Sequence, residues 1–236
     1  MSGPTPGAPE REAVRSMFDR IAPRYDLLNR VLSAGTDVRW RRACIDFLEL
    51  SGPSRLLDLC TGTADVLIEF LGRDPRHRGL GVDFAAEMLA RARAKLGHFG
   101  SRASLARADA VALPVREGAF DAATMAFGIR NVEDPARALI QVNHALRAGG
   151  RFVVLEFSTP YGLFGRLYGA YSRYVLPRVG ALVSGDRGAY AYLPASIRRF
   201  PEPDEFLARL REAGFVRVAR RPLTAGIAQL YRGEKV

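Results

Sequence analysis

From Ser54 onward the sequence alternates short β-prone apolar runs with amphipathic stretches, and this rhythm constrains the fold more than any other feature. The apolar runs are Arg55–Leu59, Leu80–Val82, Ala103–Ala106, Phe120–Phe127 and Arg151–Phe157. Helical stretches separate them at Asp65–Leu71, Ala85–Leu96 and Pro135–Leu146. In the second, Met88, Leu89 and Ala92 share one side; the third opens with proline, a common first-turn residue. A further helix is expected at Pro203–Ala213, with Gly214 as its C-terminal cap. Strand–helix alternation predicts an α/β fold, a parallel sheet with helices on both faces. The last two runs, Phe215–Ala219 and Ile227–Tyr231, are joined by a short turn-like link containing Pro222 and Gly226. That link predicts an antiparallel hairpin at one edge of the sheet.

The first 50 residues read differently. Residues 1–12 contain no apolar stretch and are expected to form a disordered leader, not a secretory signal. Residues 13–50 are expected to form a helical lid, with Met17, Phe18 and Ile21 on one helical face and Pro23 as an interruption. Ser51-Gly52-Pro53 marks the boundary to a core over 51–236 that carries a helical insert at 158–203. Cys44 and Cys60 provide neither a disulfide framework nor a zinc pattern, so no metal is expected and a reducing compartment fits. No apolar run reaches the roughly 18 residues of a spanning helix. The net charge of +10 points to nucleic acid, an anionic membrane surface or anionic ligands. Only Lys95 and Lys235 among the 35 basic residues are lysine, so compositional drift toward arginine accounts for part of that charge.

In sheets of this kind a ligand sits outside the carboxyl ends of the strands, where strand order reverses. The segments expected there are Asp58-Leu59-Cys60-Thr61-Gly62-Thr63-Ala64-Asp65, then Asp83, Asp109-Ala110, and Phe127-Gly128-Ile129-Arg130-Asn131. The first turn is rich in small residues and opens a helix, so a ligand can approach its backbone, Gly62 included. It lacks the three glycines of the dinucleotide fingerprint. A carboxylate at Asp83 can accept both hydroxyls of a ribose; it can also cap the following helix. Asp109 can accept an exocyclic amine of adenine while the Ala110 N–H meets a ring nitrogen. A tight turn capped by Thr61 or Thr63, and a solvated turn at Asp109, are the structural alternatives. Together these strand ends suit S-adenosylmethionine better than a nicotinamide dinucleotide.

The run LLDLCTGTAD…GVDFAAEMLARA…RADAVALPVREGAFDAATMAFGIRN…ALRAGGRFVVLEFS resembles the class I S-adenosylmethionine-dependent methyltransferases. More narrowly, it resembles the UbiE/MenG C-methyltransferases of quinone biosynthesis. MFDRIAPRYDLLNRVLSAGTDVRW at 17–40, YVLPRVGALVSGDRGAYAYLPASIRRFPE before the last helix and LTAGIAQLYRGEK near the end extend the similarity over roughly residues 13–235. The resemblance implies a Rossmann-like fold with a seven-stranded, mostly parallel sheet and an antiparallel edge strand. It places S-adenosylmethionine against Thr63, Asp83, Asp109 and Ala110, with Ala126 where some relatives carry serine; Asp58 and Gly62 join them from the first turn. Leu28 stands where the family usually has methionine, Asp37 where it has histidine, and Arg147-Ala148 where it has Lys-Pro. The form of the Cys60–Asp65 turn is more similar to menaquinone-pathway members than to ubiquinone-pathway members.

The implied reaction is methyl transfer to a ring carbon of a prenylated hydroquinone, demethylmenaquinol foremost. A ubiquinone-pathway or dual-specificity enzyme is the alternative, with an RNA or small-molecule methyltransferase on the same fold a more distant one. Arg130, next to the methyl, is expected to stabilise a developing phenolate, Asn131 to orient a water or the ring hydroxyl, and Tyr25 to reach in from the lid. A surface ion pair for Arg130, a turn cap for Asn131 and core packing for Tyr25 are the plain alternatives. The stretch 161–183 places Phe164, Leu167, Tyr168, Tyr171, Tyr174 and Val175 at helical spacing among arginines. An amphipathic helix there would cover a prenyl tail or touch a membrane, or simply pack. The expected partners are thus the hydroquinone and a membrane surface, not nucleic acid, for a cytoplasmic protein at the inner face of the membrane; a homodimer stays open.

Overall fold

The computed structural model describes residues 11–160, 162, 165, 169, 171 and 187–236. The expected leader falls almost wholly on residues 1–10, and most of the amphipathic stretch at 161–183 falls on other residues outside the described set.

The strands are β1 (Arg55–Leu59), β2 (Arg78–Asp83), β3 (Ala103–Arg107), β4 (Phe120–Ala126), β5 (Leu146–Phe157), β6 (Phe215–Leu223) and β7 (Ala228–Lys235). They form one sheet in the order β3-β2-β1-β4-β5-β7-β6, parallel from β3 to β5. The hairpin does close one edge, with β7 inserted antiparallel between β5 and the outermost β6. Helices α4 (Asp65–Leu71), α5 (Ala86–Leu96) and α6 (Pro135–Ala145) connect the parallel strands. After them come α7 (Arg187–Arg199) and α8 (Pro203–Glu212). Asp134 caps α6 by accepting the Arg137 N–H, so the cap role considered for Asn131 belongs to Asp134.

Because side chains alternate across a strand, neighbouring residues feed opposite cores. Leu57, Met125 and Val154 pack with α6 and α8, while Leu56, Ala122 and Val153 pack with α3 (Thr36–Asp46) and α4. The N-terminal helices α1 (Arg11–Ile21) and α2 (Tyr25–Leu32) form a third cluster, in which Met17, Ile21 and Leu28 lie on Ala85 and Met88 at the start of α5. The lid expected over 13–50 is therefore divided. Trp40, Cys44 and Ile45 of α3 join the core beneath the sheet, while Asp37 and Arg41 of the same helix border the space outside the strand ends together with α1 and α2.

Candidate functional site

Strand order turns between β1 and β4, and the crevice outside their carboxyl ends is the ligand position in such sheets. Both strands leave the sheet through residues in the left-handed region, Cys60 at φ 50° and Phe127 at φ 57°. That conformation is costly for a side chain carrying a Cβ, and such strain gathers at functional sites. The two exits touch at Gly128, where an added Cβ would lie 2.4 Å from the Cys60 Cβ.

Asp58 is buried and accepts hydrogen bonds from the hydroxyls of Thr61 (2.6 Å) and Thr124 (2.7 Å). Burial pushes its carboxyl up to about 6 despite those two donors. Asp83 accepts the Gly62 N–H on one oxygen at 2.8 Å and the Ala85 N–H on the other at 2.9 Å. It thus ties the first turn to the start of α5, and burial raises its carboxyl too. Thr61 and Thr63 do not cap α4, since their hydroxyls go to Asp58 and to Oδ1 of Asp26 at 2.6 Å. Lys95 Nζ bonds Asp26 (2.9 Å), the Thr63 hydroxyl (3.2 Å) and Asp65, clamping α2 of the lid to the core.

Two small clefts meet at Cys60. Asp83, Asp109, Ala110 and Asn131 line one; Asp58, Gly62, Thr63, Ala126, Tyr25 and Arg41 line the other. Every strand-end residue expected to hold a cofactor therefore borders one of them. The electrostatics choose between cofactors. Burial drives the Cys60 thiol far above its ordinary value, and the charges of Asp83, Asp58, Asp109 and Glu156 push the same way. The three strand-end carboxylates lining the clefts, Asp58, Asp83 and Asp109, favour a cationic sulfonium and oppose an anionic pyrophosphate. With a carboxylate for a ribose diol and another beside a backbone N–H for adenine, the donor set fits S-adenosylmethionine.

Beyond the second cleft lies an apolar cavity of about 370 Å³, and Tyr25, Arg41 and Phe127 border both. Its walls include Met17, Phe18 and Ile21, Trp40, Phe127 and Phe157. Phe127 and Phe157 lie 4.5 Å apart between centroids, with Trp40 about 6 Å from each. Tyr25 is half-buried. Burial raises its phenol, and Asn29, Arg41 and Arg130 offset that only in part, so it is a proton donor at neutral pH and not a base.

Arg130 faces the cavity, yet its ion pair is internal. Nη1 donates to Glu156 Oε1 and to the Phe127 carbonyl, both at 2.6 Å, and Nε donates to Ser196 Oγ at 3.3 Å. Nη2 has no hydrogen-bond partner among the described residues. Burial raises the Glu156 carboxyl, with Arg130 opposing. Asn131 lines the first cleft, not the cavity: its Nδ2 donates to the Phe127 carbonyl and its Oδ1 accepts the Tyr192 hydroxyl at 2.9 Å. In that placement Asn131, expected to orient a water or the ring hydroxyl, holds Tyr192, which does line the cavity.

Sequence reasoning passed over Glu156, Arg41 and Tyr192. Glu156 had a readable signal, as the only acid in β5 and the one charged residue in its apolar run from Phe152 to Phe157. Arg41 had a weaker one, its i,i+4 spacing from Asp37 on α3.

Among curated proteins, the demethylmenaquinone methyltransferase of Thermus thermophilus is 48% identical over 93% of this chain and 100% of its own length. The ubiquinone/menaquinone biosynthesis C-methyltransferase UbiE of Syntrophotalea carbinolica is 48% identical, covering 93% of this chain and 92% of its own. Among solved structures, the Haemonchus contortus phosphoethanolamine N-methyltransferase 2 bound to S-adenosylmethionine aligns with TM-score 0.64 at 12% identity, over 84% of this chain and 52% of that one, a likeness of fold alone. A model of the ubiE/COQ5 methyltransferase family matches residues 7–235. With the crevice, its carboxylates and the adjoining apolar cavity all inside that span, the chain belongs to the ubiE/COQ5 methyltransferase family.

Proposed function

We propose that this protein methylates a ring carbon of a prenylated hydroquinone, with demethylmenaquinol as substrate and menaquinol as product. The observation carrying this reading is the apolar, aromatic-walled cavity that borders the sulfonium-favouring crevice through Tyr25, Arg41 and Phe127. A cavity of about 370 Å³ falls within the roughly 300–1,000 Å³ usual for small-molecule sites. The names of relatives at 47–48% identity support the menaquinone branch.

When bound, S-adenosylmethionine supplies an electrophilic methyl group carried on a sulfonium. The protein's task is to align an electron-rich ring carbon with it and to manage one proton. Arg130 directs its uncommitted Nη2 toward a ring oxygen and stabilises the negative charge that grows there as the hydroxyl proton departs. Tyr25, a neutral phenol between cleft and cavity, donates a hydrogen bond at the boundary where the reacting atoms meet. Asn131 is a positioning residue acting through Tyr192. The Phe127 and Phe157 rings hold the substrate ring and exclude water.

Purified protein with S-adenosylmethionine is expected to methylate demethylmenaquinol faster than the demethylated ubiquinol precursor when the two are assayed side by side. Faster turnover of the ubiquinol precursor would move the enzyme to the other branch, and no methyl transfer to either would remove the assignment. No helix among the described residues is long and apolar enough to cross a membrane. A prenyl tail longer than the cavity would leave its far end in a bilayer, so the net charge of +10 suits peripheral contact with anionic lipid. Co-sedimentation with phosphatidylglycerol vesicles at low salt, lost at high salt, is the expected result. Equal recovery with neutral vesicles would argue against a charge-driven contact.

A further inference from the structure

Any methyl transfer to a hydroquinone carbon releases one proton overall, and an anion on the cavity wall that holds the ring hydroxyl's proton during bond formation eases the step. Among the described residues lining the cavity, the titratable or charged side chains are Tyr25, Asp37, Arg41, Arg130, Tyr171 and Tyr192. Three are phenols, and two are guanidinium cations, which cannot take a proton. Asp37 is the single anion. Glu156 is fully buried behind Arg130 and is not on the wall.

Asp37 lies near the start of α3, 3% exposed. One oxygen accepts the Ser33 hydroxyl at 2.9 Å and faces Arg30 Nη1 at 3.3 Å; the other pairs with Arg41. Arg41 also reaches Asp65 at 3.5 Å and borders the cofactor-side cleft. The carboxylate is thus one ion pair away from the junction of cleft and cavity. Each oxygen has two lone pairs; Oδ1 fills both with Ser33 and Arg30, whereas Oδ2, bonded to Arg41 alone, can accept one further hydrogen bond.

We propose that Asp37 is a catalytic residue that accepts the proton of the substrate's ring hydroxyl, an inference resting on the hydroquinone reading above. As the ring carbon's π electrons form the new bond to methyl, positive charge spreads onto the hydroxyl oxygen. The O–H bond then breaks with its pair remaining on oxygen, and the proton passes to the free lone pair of Asp37 Oδ2. When the ring regains aromaticity, the methylated carbon releases its hydrogen to water while Asp37 returns its proton to the oxygen, so one proton leaves overall. A strong base is unnecessary, because a hydroxyl on a positively charged ring is far more acidic than a phenol. Burial alone would raise the Asp37 carboxyl, but Arg41, Ser33 and Arg30 outweigh it and hold it below its ordinary value, so it stays ionised across the working range. Arg30 faces it from α2 and Arg41 from α3, and Tyr25 and Asp65 act on it through Arg41.

The test compares the full-length wild type with Asp37→Asn and Asp37→His. Asp37→Asn is expected to lower kcat on demethylmenaquinol about a hundredfold, with S-adenosylmethionine Kd changed less than about threefold. Asp37→His is expected to recover part of kcat, with an acid limb at or below the imidazole range near pH 6.5 that the wild type lacks. A readout independent of turnover uses 1-naphthol, whose phenolate absorbance is titrated while bound. Removing the facing anion should lower its apparent pKa in Asp37→Asn relative to wild type. If the naphthol titrates identically in both proteins, or Asp37→Asn keeps wild-type kcat, the proposal fails while the methyltransferase reading stands. Should the wild type methylate no hydroquinone, that reading fails first.

Discussion

Replacing Arg130 with alanine is expected to lower kcat by about two to three orders of magnitude and, separately, to cost about 3–5 kcal/mol of folding stability. The second effect follows from the surroundings of the guanidinium. Its Glu156 partner is fully buried, 2.6 Å from Nη1, and also accepts the Phe157 N–H at 2.8 Å. Without Arg130 the carboxylate remains in the interior without its counter-charge. Adding Glu156→Gln removes that charge, so the double variant should regain most of the lost stability and none of the turnover. This combination separates the chemistry from the scaffold. The pH dependence provides a further check. Burial already places the Glu156 carboxyl above its ordinary value, with Arg130 resisting, and loss of Arg130 raises it again. The folded state then holds a proton that the unfolded state has released. Stability of the single variant should therefore fall as pH rises from the ordinary glutamate value near 4.3 through the raised folded value. Its deficit against wild type should be smallest in acid and fully developed at neutral pH. Thermal melts at pH 4 and pH 7.5 measure this, and equal deficits at the two would exclude an unpaired Glu156 as the cause. S-adenosylmethionine affinity should change little, since Arg130 lines neither cofactor cleft.

The sheet was legible in the sequence because each parallel strand is a short apolar run bounded by polar or small residues, a pattern set by local chemistry. The strand-end carboxylates were legible for a related reason: once the runs are placed, the fold puts their last residues in one crevice. The partners of those residues could not be read the same way. Arg130 and Glu156 are 26 residues apart, and Asp26 and Lys95 are 69 apart. Nothing in either neighbourhood names the other until β5 lies beside β4 and α2 lies over α5. The surface that α3 covers is not readable locally, because Trp40, Cys44 and Ile45 have the same helical periodicity whether they face a lid or a core. Only the Trp40 indole N–H donating to Thr224, at 2.8 Å across 184 residues, shows which surface α3 covers. The position of Asn131 after β4 is readable in the sequence, but not that its side chain turns back to Phe127 and Tyr192.

The largest loss of cofactor affinity is expected from Asp83. Asp83→Asn should weaken S-adenosylmethionine binding by about a hundredfold or more, because hydrogen bonds to a charged acceptor contribute roughly 1.5–3 kcal/mol each and a ribose diol makes two. The substitution keeps the shape of the side chain and one acceptor. The amide oxygen can still take the Ala85 N–H that Asp83 Oδ1 accepts at 2.9 Å, so α5 keeps its start. The amide nitrogen then faces the Gly62 N–H that Oδ2 accepts at 2.8 Å, a donor against a donor. Removing a buried carboxylate relieves its desolvation, which offsets that clash, and the melting midpoint should move by no more than about 1 kcal/mol in stability terms. The defect should therefore be local. Amide hydrogen exchange across residues 60–64 should speed up, while β1 and β2 remain protected. Titration calorimetry with S-adenosylmethionine provides the affinity. Wild-type binding with faster exchange would make Asp83 a brace for the turn and not a ligand-binding carboxylate. Weakened binding with unchanged exchange would assign the whole effect to the diol. Weakening together with faster exchange is the expected result, because the same two oxygens that hold the turn and the helix are the acceptors available to the ribose.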